Sequence, residues 1–197
     1  MANNNAPFGF SQYRGTGAAP TFEQVTALIA YNTANIFYGD PVFRIADGTV
    51  AGITTGPGPG TGVLAGIFVG CKYLSVAQKR TVWSNYWPGS DVASGNFAEA
   101  YLINDPAAQF LVQSSAGTGI TAAQVGQLVQ FAYGTGNTST GISGATVDAT
   151  TVGATTTLPF RIVSLTAPVG SGVVTGQFNT VVVAFNNVET KVVVAAV

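Results

Sequence analysis

Short runs of β-branched and aromatic residues, cut by glycine, proline and Asn or Asp turns, dominate the chain. Over residues 96–103 apolar and polar positions alternate, with Phe97, Glu99, Tyr101 and Ile103 on one face, the period of a strand. Asn104-Asp105-Pro106 then turns the chain, and residues 109–114 return as a partner strand carrying Phe110 and Val112. Upstream, Asp47-Gly48 lies between Ile45-Ala46 and Thr49-Val50, a strong short-range hairpin signal. Residues 63–73 read as a strand interrupted by Gly66 and Gly70, and residues 80–87 as the next, stopped by Pro88-Gly89. Residues 21–30 are ambiguous: Phe22, Val25, Leu28 and Ile29 suit a helix with Thr21 and Gln24 as its capping box, but the reading leans to a strand followed by a turn or short helix at 32–35, and a further strand is predicted over 159–165. A terminal hairpin is predicted from 177–185 and 188–197 across Asn186-Asn187.

Two segments depart from that pattern. Residues 121–133 predict a helix: Thr121 with Gln124 suits a capping box, Val125, Leu128, Val129 and Ala132 fall at helical spacing, and Gly134 follows as a stop. Residues 1–20 are polar and glycine-containing with spaced aromatics, which fits an extended arm laid across a neighbour as well as a disordered terminus. Residues 54–62 alternate glycine and proline, and 137–144 hold Asn, Thr, Ser and Gly; both predict loops. The expectation is therefore an all-β sandwich or barrel with Gly-rich loops, one short α-helix near 121–133 and an extended N-terminal arm over 1–20. The remainder, 21–197, forms a single β-rich domain. No period of about 20–50 residues repeats, which excludes a solenoid or propeller. The apolar runs at 181–185 and 192–197 require burial, pairing or cover by another chain.

Composition changes the picture by what it lacks. Charged residues are 8% of the chain, against roughly 25% in an ordinary globular domain. Hydrophobic residues are an ordinary 47%, so Gly, Thr, Ser, Asn and Gln have replaced the charge. A net charge of -1 gives no footprint for nucleic acid. The chain has no histidine, which excludes Ser-His-Asp and Cys-His nucleophiles and His-ligated zinc or haem. Cys71, the one cysteine, forms no internal disulfide, fits a reducing cytoplasm and reads as a buried small hydrophobe within a strand. The N-terminus has no basic and apolar leader pattern, and no run of ~18 apolar residues predicts a membrane helix. A chain this length buries roughly 70% of its unfolded surface, and its weakly charged exterior favours association with other protein.

Candidate chemistry is thin. Gly58-Pro59-Gly60-Thr61-Gly62 lacks the Gly-Lys-Ser/Thr of a phosphate loop, and its prolines remove N–H donors. Gly141-Ile142-Ser143-Gly144 has its second glycine one place too early for a nucleophile elbow. Of the carboxylates Glu23, Asp40, Asp47, Asp91, Glu99, Asp105, Asp148 and Glu189, none marks a catalytic pair, and Asp40, Asp47 and Asp105 sit where turns want them. No calcium loop is present, and the Asn137-Thr138-Ser139 sequon reads as chance. Lys72, Lys79 and Arg80 with Tyr73, Trp83, Tyr86 and Trp87 form a basic-aromatic cluster. It suits a sugar or nucleic-acid face, and better suits core and interface packing. No enzyme activity, cofactor, metal site or small-molecule substrate is expected.

Several marks occur in one order: Asn5-Ala6-Pro7-Phe8-Gly9-Phe10, Gly39-Asp40-Pro41-Val42, Gly66-Ile67-Phe68-Val69-Gly70-Cys71-Lys72-Tyr73, Asn85-Tyr86-Trp87-Pro88-Gly89, Asn104-Asp105-Pro106 and Gly136-Asn137-Thr138-Ser139-Thr140-Gly141-Ile142-Ser143. Over about residues 5–185 this resembles the head decoration, or cement, proteins of tailed bacteriophages. The Gly-Pro-Gly-Pro loop and the Val-rich C-terminal tail depart from the resemblance. The resemblance implies a non-enzymatic virion protein, made in the host bacterial cytoplasm, that binds the outer surface of an icosahedral capsid. Its expected partners are the major capsid protein and itself, as a homo-oligomer with a trimer favoured. Neither nucleic acid nor membrane is expected to bind. Phe8, Phe10 and Arg14 of the arm, then Trp83, Tyr86 and Trp87, are the expected interface residues. The rival expectations are another virion component, such as tail tube or capsid, and a carbohydrate-binding adhesin module.

Overall fold

The computed structural model describes residues 3–15, 24–52, 63–115, 117–166 and 176–191. The fold is all-β. The strands, in chain order, are β1 (Ser11–Arg14), β2 (Val25–Ala30), β3 (Ile36–Phe37), β4 (Pro41–Arg44), β5 (Val50–Ala51), β6 (Leu64–Leu74), β7 (Thr81–Ser84) and β8 (Tyr86–Trp87). They continue with β9 (Phe97–Ile103), β10 (Gln109–Gln113), β11 (Leu128–Ala132), β12 (Thr146–Gly153), β13 (Phe160–Leu165) and β14 (Thr180–Phe185).

Three antiparallel sheets result. The first runs β1-β10-β14-β13-β11-β12, the second β2-β9-β6-β4-β5 with β7 also on β6, and the third is the pair β3-β8. The first sheet curls into a half-barrel, because the chain leaving β10 meets β12, with the Ser115 N–H donating to the Val147 carbonyl at 2.8 Å. Its trough holds the larger core. Phe110, Phe131, Phe160 and Phe185 line it, and Phe43, Leu64, Ile67 and Ile103 of the second sheet plug it. A second core lies on the other face of the second sheet, where Ile29, Val42, Phe68, Cys71 and Leu102 pack around Trp87.

The strands with clean alternation or turn signals form as the sequence predicts. Asp47-Gly48 closes the β4–β5 hairpin: the Gly48 N–H reaches the Ile45 carbonyl at 2.9 Å, and the Ile45 N–H reaches that of Thr49 at 2.9 Å. The Asp47 carboxylate secures the turn by accepting from the Thr49 N–H at 2.9 Å and its hydroxyl at 2.7 Å.

The predicted helix over 121–133 does not form. Thr121 donates its N–H to the Gln124 side chain at 2.8 Å, so part of the capping box exists, but only a 3₁₀ turn over Ala122–Gln124 follows. Val125 is extended and Gly126 has φ +89°, a left-handed conformation that ends helical propagation. The Gly126 N–H then bonds to the Ile162 carbonyl at 2.8 Å, and the chain enters the first sheet as β11. Residues 128–133 satisfy both periods; as a strand they send Val129 and Phe131 into the aromatic trough, which a helix here would leave open.

Two other expectations change. The arm is not separate from the domain: β1 pairs with β10, and Phe10 lies in the trough, stacked on Phe160 at 4.5 Å between centroids. The predicted hairpin between 177–185 and 188–197 is replaced by sheet pairing, since β14 has β10 on one edge and β13 on the other. Val188 instead bridges to Leu64, and a tight turn joins it to Lys191. Residues 192–197, the Gly-Pro loop at 54–62 and residues 16–23 lie outside the described residues.

Candidate functional site

The second sheet is longer than its cover. Ile67 opposite Ile103 faces the larger core, and the register then shifts at Val69. Past the shift the same face continues as a row across β2, β9, β6 and β7: Leu28 opposite Glu99, Glu99 opposite Lys72, Lys72 opposite Trp83. Two residues further along their strands, Leu74 and Phe97 share this face by alternation. Here the first sheet gives no cover. Trp83 is 68% exposed, Leu74 60%, Phe97 53% and Leu28 48%. Amid these apolar groups Lys72 Nζ meets Glu99 Oε2 at 3.0 Å. The result is an apolar face with one neutralised ion pair, rather than a charged one.

The structure divides the sequence-predicted interface residues. Trp83 is the most exposed large hydrophobic residue among those described. Tyr86 is half-buried and stacks on Phe37 at 5.8 Å. Trp87 is fully buried: its indole N–H donates to Thr33 Oγ1 at 2.8 Å and its ring meets Tyr73 edge-on. Phe10 is likewise buried, so neither Trp87 nor Phe10 reaches a partner. Aromatic mass drew both into cores that the sequence does not locate. Phe8 is half-buried, and Arg14 is exposed with its guanidinium 5.2 Å from the Tyr13 ring. Leu28, Leu74 and Phe97 were missed. Their sequence signal is ordinary alternation, and only the extent of the covering sheet shows which end of the face stays bare.

A second place concentrates polar groups. Asp40 lies in the turn between β3 and β4, and both its oxygens accept internal bonds: from the Phe37 N–H at 2.7 Å and from Ser143 Oγ at 2.5 Å. Ser143 is positioned by its own N–H to the Tyr38 carbonyl, and the Phe10 N–H bonds to the Gly39 carbonyl. Gly9 must be glycine here, since φ is +71° and a Cβ would sit 2.7 Å from that of Ser143. The Asp40 carboxylate is buried, which pushes its pKa up to about 6 although both hydrogen bonds oppose the rise. Beside it opens a cavity of about 620 Å³, lined by Asn35, Phe37, Asp40, Tyr133, Gly136 and Thr138 among others. The Tyr133 hydroxyl is buried there without a hydrogen-bond partner, and burial pushes the phenol up to about 12.

The remaining chemistry is local. The Cys71 thiol is buried, donates weakly to the Tyr86 carbonyl at 3.4 Å and is pushed up to about 12, so it is an inert core group. Ser143, on the elbow-like sequence, is buried and committed to Asp40. Asp91 accepts from Ser75, and Asp148 from Thr150. Among the described residues no group of three or more His, Cys, Asp or Glu is placed to hold a metal ion, and no helix is long and apolar enough to cross a membrane. Comparison of the chain with protein-family models, with curated proteins and with solved structures gave no match.

Proposed function

We propose that this chain is a structural protein of a tailed-phage head, binding the outside of the icosahedral shell and bridging neighbouring capsid subunits. The observation that supports this reading best is the bare apolar face of Trp83, Leu74, Phe97 and Leu28 around the Lys72–Glu99 pair. A large exposed aromatic beside aliphatic groups is the composition of an interface anchor. A chain with 8% charged residues also pays little electrostatic penalty when covered by protein. Bridging follows from multivalency: individually weak contacts to several subunits add through effective concentration, and the sum resists outward pressure on the shell. The partners are then the major capsid protein and further copies of this chain.

Co-sedimentation with DNA-free shells of the major capsid protein of its phage tests this. The wild-type chain pellets with the shells, whereas Trp83→Glu with Phe97→Glu lowers affinity at least about tenfold without altering the thermal melt. Undiminished binding by that variant removes the face from the interface. Absence of the wild-type chain from the shell fraction, or its recovery with tails, overturns the reading. Glycan binding lost in Trp83→Ala replaces it with the adhesin alternative.

A further inference from the structure

We propose that the cavity beside Asp40 receives an alkylammonium group, with the Asp40 carboxylate as counter-ion and the Phe37 and Tyr133 rings as the wall for the alkyl stem. Three observations converge on it. Asp40 is a buried carboxylate whose bonds come from neutral donors only, the Phe37 N–H and the Ser143 hydroxyl. None of the chain's 7 Lys and Arg residues pairs with it: Arg44 is held by Glu189 and Lys72 by Glu99, and no cation contributes to the Asp40 environment. Buried charges are ordinarily matched by an opposite charge. The Tyr133 side chain lines the same cavity beside Phe37, while its hydroxyl is a buried polar atom with no partner. The cavity, at about 620 Å³, is far larger than a single water requires and is open to the surface.

The chemistry selects the class. An anion is repelled by the carboxylate. A metal ion lacks a ligand set, since Asp40 is the one carboxylate lining the cavity. A primary ammonium is a compact charge with freely directed donors that can reach a carboxylate already accepting two bonds, and its apolar stem suits the Phe37 and Tyr133 rings. The site differs from the bare face of the second sheet and does not rest on capsid binding.

The ammonium source is a free amine or a lysine side chain of a partner protein, and the probes separate the two. Isotope-labelled protein is titrated with n-butylammonium, Nα-acetyl-lysinamide and the neutral isostere n-butanol, following resonances of Tyr133 and residues 134–138. At about pH 8, above the value near 6 to which burial pushes Asp40, saturable shifts are expected with n-butylammonium. Equal binding of Nα-acetyl-lysinamide identifies a protein lysine as the natural occupant, and its exclusion identifies a free amine. The other titratable group facing the cavity, Tyr133, stays neutral over this range. Acidification to about pH 5 and Asp40→Asn are each expected to weaken binding about tenfold. Tyr133→Phe removes an unpartnered, inaccessible hydroxyl and keeps the ring, so it folds and is expected to leave binding unchanged. The proposal is overturned if the amine gives no saturable shift, if n-butanol binds equally well, or if Asp40→Asn binds like wild type. Ordered water alone then fills the cavity.

Discussion

At the scale of the residue, Asp40 couples the fold to pH. Its carboxyl rises from the usual 3.8 to about 6 on folding because burial outweighs its hydrogen bonds. The folded state therefore holds the proton more tightly than the unfolded chain. The stabilisation is complete below about pH 4 and is lost as pH rises through 6, amounting to about 3 kcal/mol across that window. Asp47 and Asp91 shift the opposite way, held down by bonds from Thr49 and Ser75, and act only at still lower pH. Asp40→Asn keeps the Phe37 N–H bond through its carbonyl and reverses the Ser143 bond, its amide donating to Ser143 Oγ. Urea unfolding between about pH 4 and 8 is expected to show stability falling with pH in the wild type and a nearly flat profile in the variant. An unchanged slope would assign the proton to another group. Nothing in the sequence marks Asp40 out from Asp47 or Asp105, all three being turn aspartates by their neighbours. Burial, which no local pattern encodes, separates them.

At the scale of the element, the N-terminal segment and β11 carry the main lessons. A polar, glycine-containing start reads as an arm, and its fate depends on one side chain. Phe10 meets Phe110, Phe131 and Phe160 in the trough, so Phe10→Ala is expected to cost about 3–5 kcal/mol and to lower the melting temperature accordingly. Deleting residues 1–14 also strips β1 from the edge of the first sheet and is expected to abolish cooperative melting. A truncated chain that melts like wild type would return the segment to the status of a detachable arm. In β11 the local signals conflict. Thr121 and Gln124 begin a turn of helix, while Gly126 and the aromatic trough draw the following residues into a strand. Tertiary burial outweighs a helix propensity difference of under about 1 kcal/mol per residue. β12 is nearly silent in sequence, since Val147 and Ala149 face the core, Val152 packs against its edge, and Thr, Asp and Gly fill the other positions.

At the scale of the whole molecule, two cores share the second sheet, and the end of that sheet that neither the first sheet nor its own second core covers carries Trp83, Leu74, Phe97 and Leu28. With few charges to keep copies apart, the isolated chain is expected to self-associate, its sedimentation coefficient rising with concentration. Leu74→Glu with Trp83→Glu is expected to suppress that rise at unchanged stability, because both side chains point to solvent. Persistence of self-association in that variant would place the contact elsewhere. The sequence alone determined the all-β class, most strand positions, the Asp-Gly hairpin, the inert cysteine and the absence of histidine chemistry, because alternation, turn residues and composition are local properties. The tertiary structure decided that 121–133 is a turn and a strand, that Phe10 and Trp87 are core while Trp83 is surface, and that Asp40 is buried beside a cavity. Each of these depends on which distant segment covers a residue, and cover is a property of how sheets stack rather than of any window along the chain.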